Sequence, residues 1–229
     1  MNDLLTPGEA EALLLSLEVS STAVFAALPV AVALALFLAR VRFPGKVVVD
    51  AIVHLPLVLP PVAVGFLLLV LFGTRAGPGA WLYQTFGLRF VFSWTGAALA
   101  SALITLPFQV RAIRLALESA DPGLEAAAET LGAGWWDRLV SITLPLAFPG
   151  IAAGLVTAFA ASLGEFGAII TFVSNIPGET RTLPLAIYSA LQSPGGEAEA
   201  AKLSLISIAL ALVFMTLAEI AQRRSGTQR

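Results

Sequence analysis

Glu165 is the carboxylate set deepest in an apolar run, in the stretch SLGEFGAIITF with Gly164 and Gly167 on either side. An ionised side chain there costs about 2.5 to 3.5 kcal/mol on insertion scales, so something must offset it. Asp50 and His54 stand four apart on one helix face, a pair suited to a local hydrogen bond more than to catalysis. His54 is the single histidine, cysteine is absent, and no His-Glu-x-x-His pattern occurs. Disulfides, thiolate or multi-histidine metal sites and a redox pair are therefore excluded, and an intramembrane hydrolase would lack its activated nucleophile. The chain also contains no Gly-x-x-x-x-Gly-Lys-Ser/Thr phosphate loop, so it carries no ATP chemistry of its own.

The elements that must position these residues are membrane helices. Apolar residues make up 58% of the chain and charged ones 12%, with a mean hydropathy of +0.88, more than a water-soluble domain can cover with polar groups. A bilayer core of about 30 Å needs about 20 helical residues. Apolar runs of that length occur five times, at 13–39, 48–72, 90–110, 146–173 and 203–221. The fourth is long enough to tilt or to continue into a re-entrant turn. The first is preceded by Asp3, Glu9 and Glu11 instead of basic residues and exceeds a signal peptide's usual length, so it is expected to stay in the mature protein. Pro44 with Gly45, and the Gly-rich piece 73–79, read as turns between spans. No loop is long enough for a second domain, and residues 1–229 read as one membrane domain.

Placement of the 13 basic residues predicts the orientation. With the N-terminus outside, Arg40, Arg42, Lys46, Arg111, Arg114, Arg138, Arg223, Arg224 and Arg229 share the cytoplasmic side, leaving Arg75, Arg89, Arg181 and Lys202 on the other. That bias favours an outer N-terminus and a cytoplasmic C-terminus. A secondary transporter would usually carry inverted repeats or several intramembrane charges along an ion path, and neither is visible.

One cytoplasmic stretch is out of character with its surroundings: EAAAETLGAGWWDRLVSITLP, residues 125–145. Asp121, Pro122 and Gly123 form a helix-start signal, and Ala126, Ala127 and Ala128 favour helix. Gly132 and Gly134 interrupt the pattern, and Trp135 and Trp136 follow. A short helix, a turn and a second helix fit. From the residues alone two readings stand, an interfacial helix with tryptophans at headgroup level and a docking knob whose small residues let a partner's backbone come close.

Gly132, nine residues, then Ile142, Thr143, Leu144 and Pro145 resembles the signature loop of bacterial ABC importer permeases: Glu-Ala-Ala, three residues, Gly, nine residues, Ile, any residue, Leu-Pro. Counting back from Gly132, Ala126 fills the Glu position and Ala127 and Ala128 the two Ala positions, while Glu125 lies one residue earlier. The resemblance implies that 122–145 is a coupling segment between spans 3 and 4, inserted into a groove on a separate ATPase subunit that binds ATP and Mg. Its implied contact residues are Glu125, Ala126, Ala127, Ala128, Gly132, Ile142, Leu144 and Pro145.

Four further stretches, HLPLVLPPVAVGFLLL (54–69), the run from Ser162 to Glu197, FPGK (43–46) and RAIRLALE (111–118), are similar to the molybdate ABC transporter permeases, with sulfate and thiosulfate permeases as relatives. This implies an all-α integral membrane fold, the five-helix transmembrane domain of a type I ABC importer in the cytoplasmic (inner) membrane. The implied partners are a second copy of the chain, two ATPase subunits, an extracytoplasmic molybdate-binding protein and the lipid bilayer, with no nucleic acid. No cofactor is expected in the chain itself, and tungstate stands beside molybdate as a cargo.

Pro56, Pro60 and Pro61 each remove a backbone donor, leaving carbonyls that need water or protein partners, so a simple kink and a pathway lining both fit. The pathway or gate candidates are Pro60, Pro61, Ser162, Gly164, Glu165 and Gly167. An acidic side chain repels an oxyanion, which favours for Glu165 a hydrogen bond across helices, as the neutral acid, over substrate contact. Residues 175–182 read as an outer turn in which Arg181 is either a solvated connector residue or a contact for the binding protein. Residues 183–192 are expected to form a short helix.

Overall fold

A computed structural model describes residues 5–75 and 77–226. Asp3 and Arg229 lie outside the described residues, as do the side chains of Arg223 and Arg224. The elements are α1 (Pro7–Arg40), α2 (Lys46–Val58), α3 (Pro61–Phe72), α4 (Gly77–Phe86), α5 (Trp94–Ser119), α6 (Pro122–Thr130), α7 (Trp135–Arg138), α8 (Leu144–Leu163), α9 (Gly167–Val173), α10 (Leu183–Leu191) and α11 (Glu197–Gly226). A π-helical turn, Leu139–Thr143, joins α7 to α8. The class is all-α, with no strand among the described residues.

Four helices are long and apolar enough to cross a bilayer, Pro7–Arg40, Trp94–Ser119, Trp135–Leu163 and Glu197–Thr216. The apolar run 48–72 is not one straight helix as expected: α2 and α3 meet at 111°, and the pair makes the fifth crossing if it is one bent span. The prolines are the cause. A residue before proline is pushed out of the α region, and both Leu59 (ψ 143°) and Pro60 (ψ 130°) are extended, so the chain restarts as a helix only at Pro61. The run 146–173 also divides. Its helix begins earlier, at Trp135, and ends at Leu163, and α9 follows as a separate short helix.

α1 opens with a capping box in which Thr6 Oγ1 accepts from the Glu9 N–H and the Glu9 carboxylate from the Thr6 N–H, with Pro7 in the first turn. α5 and α8 pack closely because the Gly-x-x-x-Gly pair Gly150 and Gly154 faces α5. A Cβ at Gly150 would lie 2.5 Å from Ala116 Cβ and 2.6 Å from the Ala112 carbonyl oxygen, and one at Gly154 would lie 3.0 Å from Gln109 Cα. α1 closes over this hairpin, with Ala31, Ala35 and Leu38 packed among Val110, Ile113, Leu117 and Ala147. In the middle of the packing the buried Gln109 amide donates to the Val24 carbonyl, at 3.1 Å.

A second core joins the half-helices. Ala168, Ile169, Phe172 and Val173 of α9 pack with Val64 and Leu68 of α3 and with Ala97, Ala100 and Ile104 of α5. At the N-terminal end of α1, Ser16 Oγ accepts from the Leu183 N–H at 2.7 Å, and the buried Glu9 pairs with Lys202 at 2.6 Å. This end therefore gathers α1, α10 and α11, and the C-terminal end of α1 meets the loop between α5 and α8.

Gly150→Leu should destabilise the protein by about 1–3 kcal/mol through overpacking, read as a lower thermal midpoint in detergent. Gly8→Ala, where an added Cβ meets nothing within 4 Å, is the control. An unchanged midpoint for Gly150→Leu would remove the close-packing account of this hairpin.

Candidate coupling site and pathway

The loop between α5 and α8 is built around two helix ends. Asp121 caps α6, its Oδ1 accepting from the Gly123 N–H at 2.8 Å. At the other end the Gly132 N–H donates to the Glu129 carbonyl and the Ala133 N–H to the Ala128 carbonyl, each at 3.0 Å, which is a Schellman closure. That closure needs a left-handed residue, and Gly132 has φ +87°. Nothing lies within 4 Å of a Cβ built there, so glycine is required by backbone conformation and not by crowding.

α6 and the turn after it face outward. Ala126 and Ala127 are exposed and Ala128 is half-buried, while Leu131 is 88% and Trp136 72% exposed. Leu131 lies in the turn after α6 and Trp136 in the first turn of the helix that runs to Leu163, so both stand at the surface of the loop end. Ile142 lies half-buried in the π turn, Leu144 half-buried at the start of α8, and Pro145 beside it is exposed.

Glu125 faces the other way. Both its carboxylate oxygens pair with the Arg40 guanidinium at the end of α1, and Oε1 also accepts from the buried Thr143 hydroxyl at 2.5 Å. Arg40, opposed by partial burial and helped by Thr143, holds the Glu125 carboxyl below the ordinary carboxylate range. With its folded-state value depressed, this group's contribution is complete above the unfolded carboxylate pKa and is lost only as pH falls through the folded one. The pair is therefore intact at neutral pH. Arg138 ties α7 back to Glu129 of α6 at 2.5 Å. Arg40 and Thr143 were not legible as site residues: Arg40 stood out only as a charge on one side of the membrane, 85 positions from its partner.

Of the pathway candidates, Pro61 and Gly167 come together. A Cβ at Gly167 would lie 2.9 Å from Pro61 Cβ, and one at Gly65 would lie 2.6 Å from the Ala168 carbonyl oxygen, so α3 and α9 meet backbone to backbone. Pro60 forms the break before α3. Glu165 is buried, but its bond is not across helices as expected: Oε1 accepts from the Ala168 N–H at 2.8 Å and caps the start of α9. The break after Leu163 exposes N–H groups that no straight helix would offer, which is why the bond is local. Ser162 is buried with no hydrogen-bond partner for Oγ among the described residues, and Gly164 has room for a side chain. His54 Nδ1–H donates to the Asp50 backbone carbonyl at 2.8 Å, and the Asp50 carboxylate instead accepts from Arg114 at 2.8 Å.

Arg181 donates to Asn175 Oδ1 at 2.9 Å and lines a cleft of about 450 Å³ together with Glu9, Glu11, Glu18 and Glu199. It is thus a cation set against carboxylates at the end of the bundle remote from the loop between α5 and α8.

Residues 28–226 match the family model described as the binding-protein-dependent transport system inner membrane component. The chain belongs to this family. As a binding-protein-dependent permease it is 57% identical to the molybdenum transport system permease protein ModB of Escherichia coli (strain K12), over 97% of this chain and 99% of that one. It is 53% identical to the ModB of Haemophilus influenzae, over 94% of each chain. The E. coli sulfate transport system permease protein CysT is 37% identical over 83% of this chain and 68% of its own length. Among solved structures, a bacterial ABC transporter that imports the acidic polysaccharide alginate superposes with a TM-score of 0.75 at 25% identity, covering 96% of this chain and 80% of that one. The permease thus has the fold of type I ABC importer transmembrane domains.

Glu165→Gln keeps an acceptor for the Ala168 N–H, and the purified permease should melt close to wild type. Glu165→Leu leaves that N–H without its cap and should cost about 0.5–2 kcal/mol. Equal loss in both variants would show that the charge, and not the cap, is what the fold uses.

Proposed function

We propose that this chain is the membrane-spanning subunit of an ATP-driven, binding-protein-dependent importer of molybdate. The observation that carries the reading is 57% identity over nearly the full length of a molybdenum permease. Cargo similarity to sulfate permeases is weaker on the same measure, 37% identity over 83% of the chain.

Residues 1–229 act as one membrane domain with five crossings, the bent α2–α3 pair counted as one. The N-terminus lies outside and the C-terminus in the cytoplasm, in keeping with the bias of basic residues toward the coupling end. Two copies enclose the path, since one five-helix bundle is too small to hold an alternating-access cavity. Each copy offers its coupling segment 122–145 to one of two ATPase subunits, which supply ATP and Mg. The exposed faces of Ala126, Ala127, Leu131 and Trp136 suit such a groove. The cleft bearing Arg181 lies at the end that receives the loaded binding protein; a solved alginate transporter is in complex with a ligand-bound periplasmic protein.

ATP closes the ATPase pair and draws the two coupling segments together. Because each segment continues into the close-packed α5–α8 hairpin, the hairpins tilt as bodies and open the path outward; hydrolysis resets them. Pro60, Pro61, Ser162, Gly164, Glu165 and Gly167 surround the broken helices where the gate is placed. Glu165 serves there as a cap for α9, its carboxyl turned to the Ala168 N–H instead of to the anion's route.

Uptake of labelled molybdate into cells carrying the permease with its ATPase and binding protein should be blocked by excess tungstate and indifferent to sulfate. Suppression by sulfate would make sulfate the cargo. Ala127→Trp should lower uptake about tenfold or more, which needs only about 1.4 kcal/mol of lost docking, while the protein still inserts and dimerises. It is a cleaner probe than Gly132→Trp, where the φ of +87° strains the loop for any side chain. Normal uptake by Ala127→Trp would remove this face from the docking surface.

A further inference from the structure

We propose that Glu125 does not meet the ATPase but works inside the chain: with Arg40 and Thr143 it clamps the coupling helix at a fixed angle on the bundle, so that thrust from the ATPase moves the spans instead of tilting the loop. This rests on the coupling role of the loop set out above.

No described side chain of α6 is buried, so apolar packing does not attach this helix to the spans. Its chain connections are short, and one ion pair, Glu129 to Arg138, ties it to the first turn of the helix that runs on through the π turn into α8. Glu125 is the α6 side chain that reaches α1. It joins three elements at one carboxylate: α6, the last turn of α1 through both guanidinium nitrogens of Arg40, and the π turn through Thr143. The last two are firmly seated. α1 packs against α5 and α8 through Ala35 and Leu38 just before Arg40, and Thr143 is itself buried. Paired two-point contact restricts rotation as well as distance, which a single hydrogen bond does not do.

The geometry also separates the two duties of the loop. Ala126 and Ala127, one and two residues on, are exposed on the side a partner would approach, while Glu125 is only 19% exposed in its side chain and turned to Arg40. A loop free to pivot would still dock and would still let the ATPase close. Its motion would then be absorbed before reaching α5 and α8. Arg40 and Glu125 are positioning residues in this scheme.

The test uses the assembled complex in proteoliposomes with loaded binding protein, and reads both ATP hydrolysis and molybdate uptake. Glu125→Gln and Arg40→Ala should each leave the ATPase bound and hydrolysing, and lower uptake per ATP about fivefold or more, the low end of ordinary coupling free energies. The two together should cost no more than either alone. The charge exchange Arg40→Glu with Glu125→Arg should recover much of the lost ratio. If Arg40→Ala fails to assemble, Arg40→Lys, which keeps the charge and loses the fork, should give an intermediate ratio. An unchanged ratio in Glu125→Gln overturns the clamp. So does loss of ATPase binding in Glu125→Gln beside a normal Arg40→Lys, which would place Glu125 at the partner's surface. A wild-type complex without ATP-driven uptake would instead sink the transporter reading on which the clamp depends.

Discussion

The distance between α5 and α8 governs what the rest of the molecule can do. Gly150 and Gly154 let the two backbones approach until an added methyl would overlap Ala116 and crowd Gln109. In a bilayer apolar burial does not favour helix pairing over lipid contact, so close van der Waals packing and a few polar bonds must hold the pair. Small residues supply the first between α5 and α8, and Gln109, donating to the Val24 carbonyl of α1, supplies the second between α5 and α1. The result is a stiff hairpin whose two ends flank the coupling loop. α1 closes onto it, so in the proposed mechanism a displacement of the loop would be shared by three spans.

The other half of the molecule follows an opposite rule, discontinuity. Pro60 and Pro61 force the chain extended at Leu59 and Pro60, and the chain breaks again between Leu163 and Gly167. Backbone groups freed at membrane depth must be satisfied by protein or by water in a cavity. Glu165 meets part of that demand at the start of α9, and Gly65 and Gly167 let the two half-helices lie against each other. A close-packed hairpin lies beside a pair of broken helices, and the gate proposed above would draw on both, one part moving as a body and one bending.

The sequence discloses these two halves unequally. Helices with uniform apolar runs, such as 13–39 and 203–221, were legible because hydropathy is a local property, and the observed helices α1 and α11 extend beyond them with capping or charged ends. The bend within 48–72 was signalled by its prolines, but a 111° angle depends on where α3 finds its partner, and α9 lies about a hundred positions away. Glu165 was legible as costly and not as a cap, since apolar periodicity runs straight through Leu163 and gives no sign that N–H groups are freed there. Arg40 carried no local signal at all. Its meaning lies in a contact with Glu125 that only the folded chain creates.

The departure of the loop from its family's spacing is instructive for the same reason. Glycine at 132 answers a backbone demand, the left-handed closure of α6, so its position relative to the helix cannot slide. A side chain on the helix obeys a different rule, because one step along an α-helix turns it by about 100°. Glutamate at 126 would stand among the exposed alanines, on the side open to a partner; at 125 it stands over Arg40 and Thr143. Moving the carboxylate by one residue therefore turns it from the exposed alanines toward the bundle, and the docking face proposed above is left to alanines and to the apolar side chains of Leu131 and Trp136. In the proposed coupling role, the small residues of the loop would serve recognition by shape and its charge stiffness.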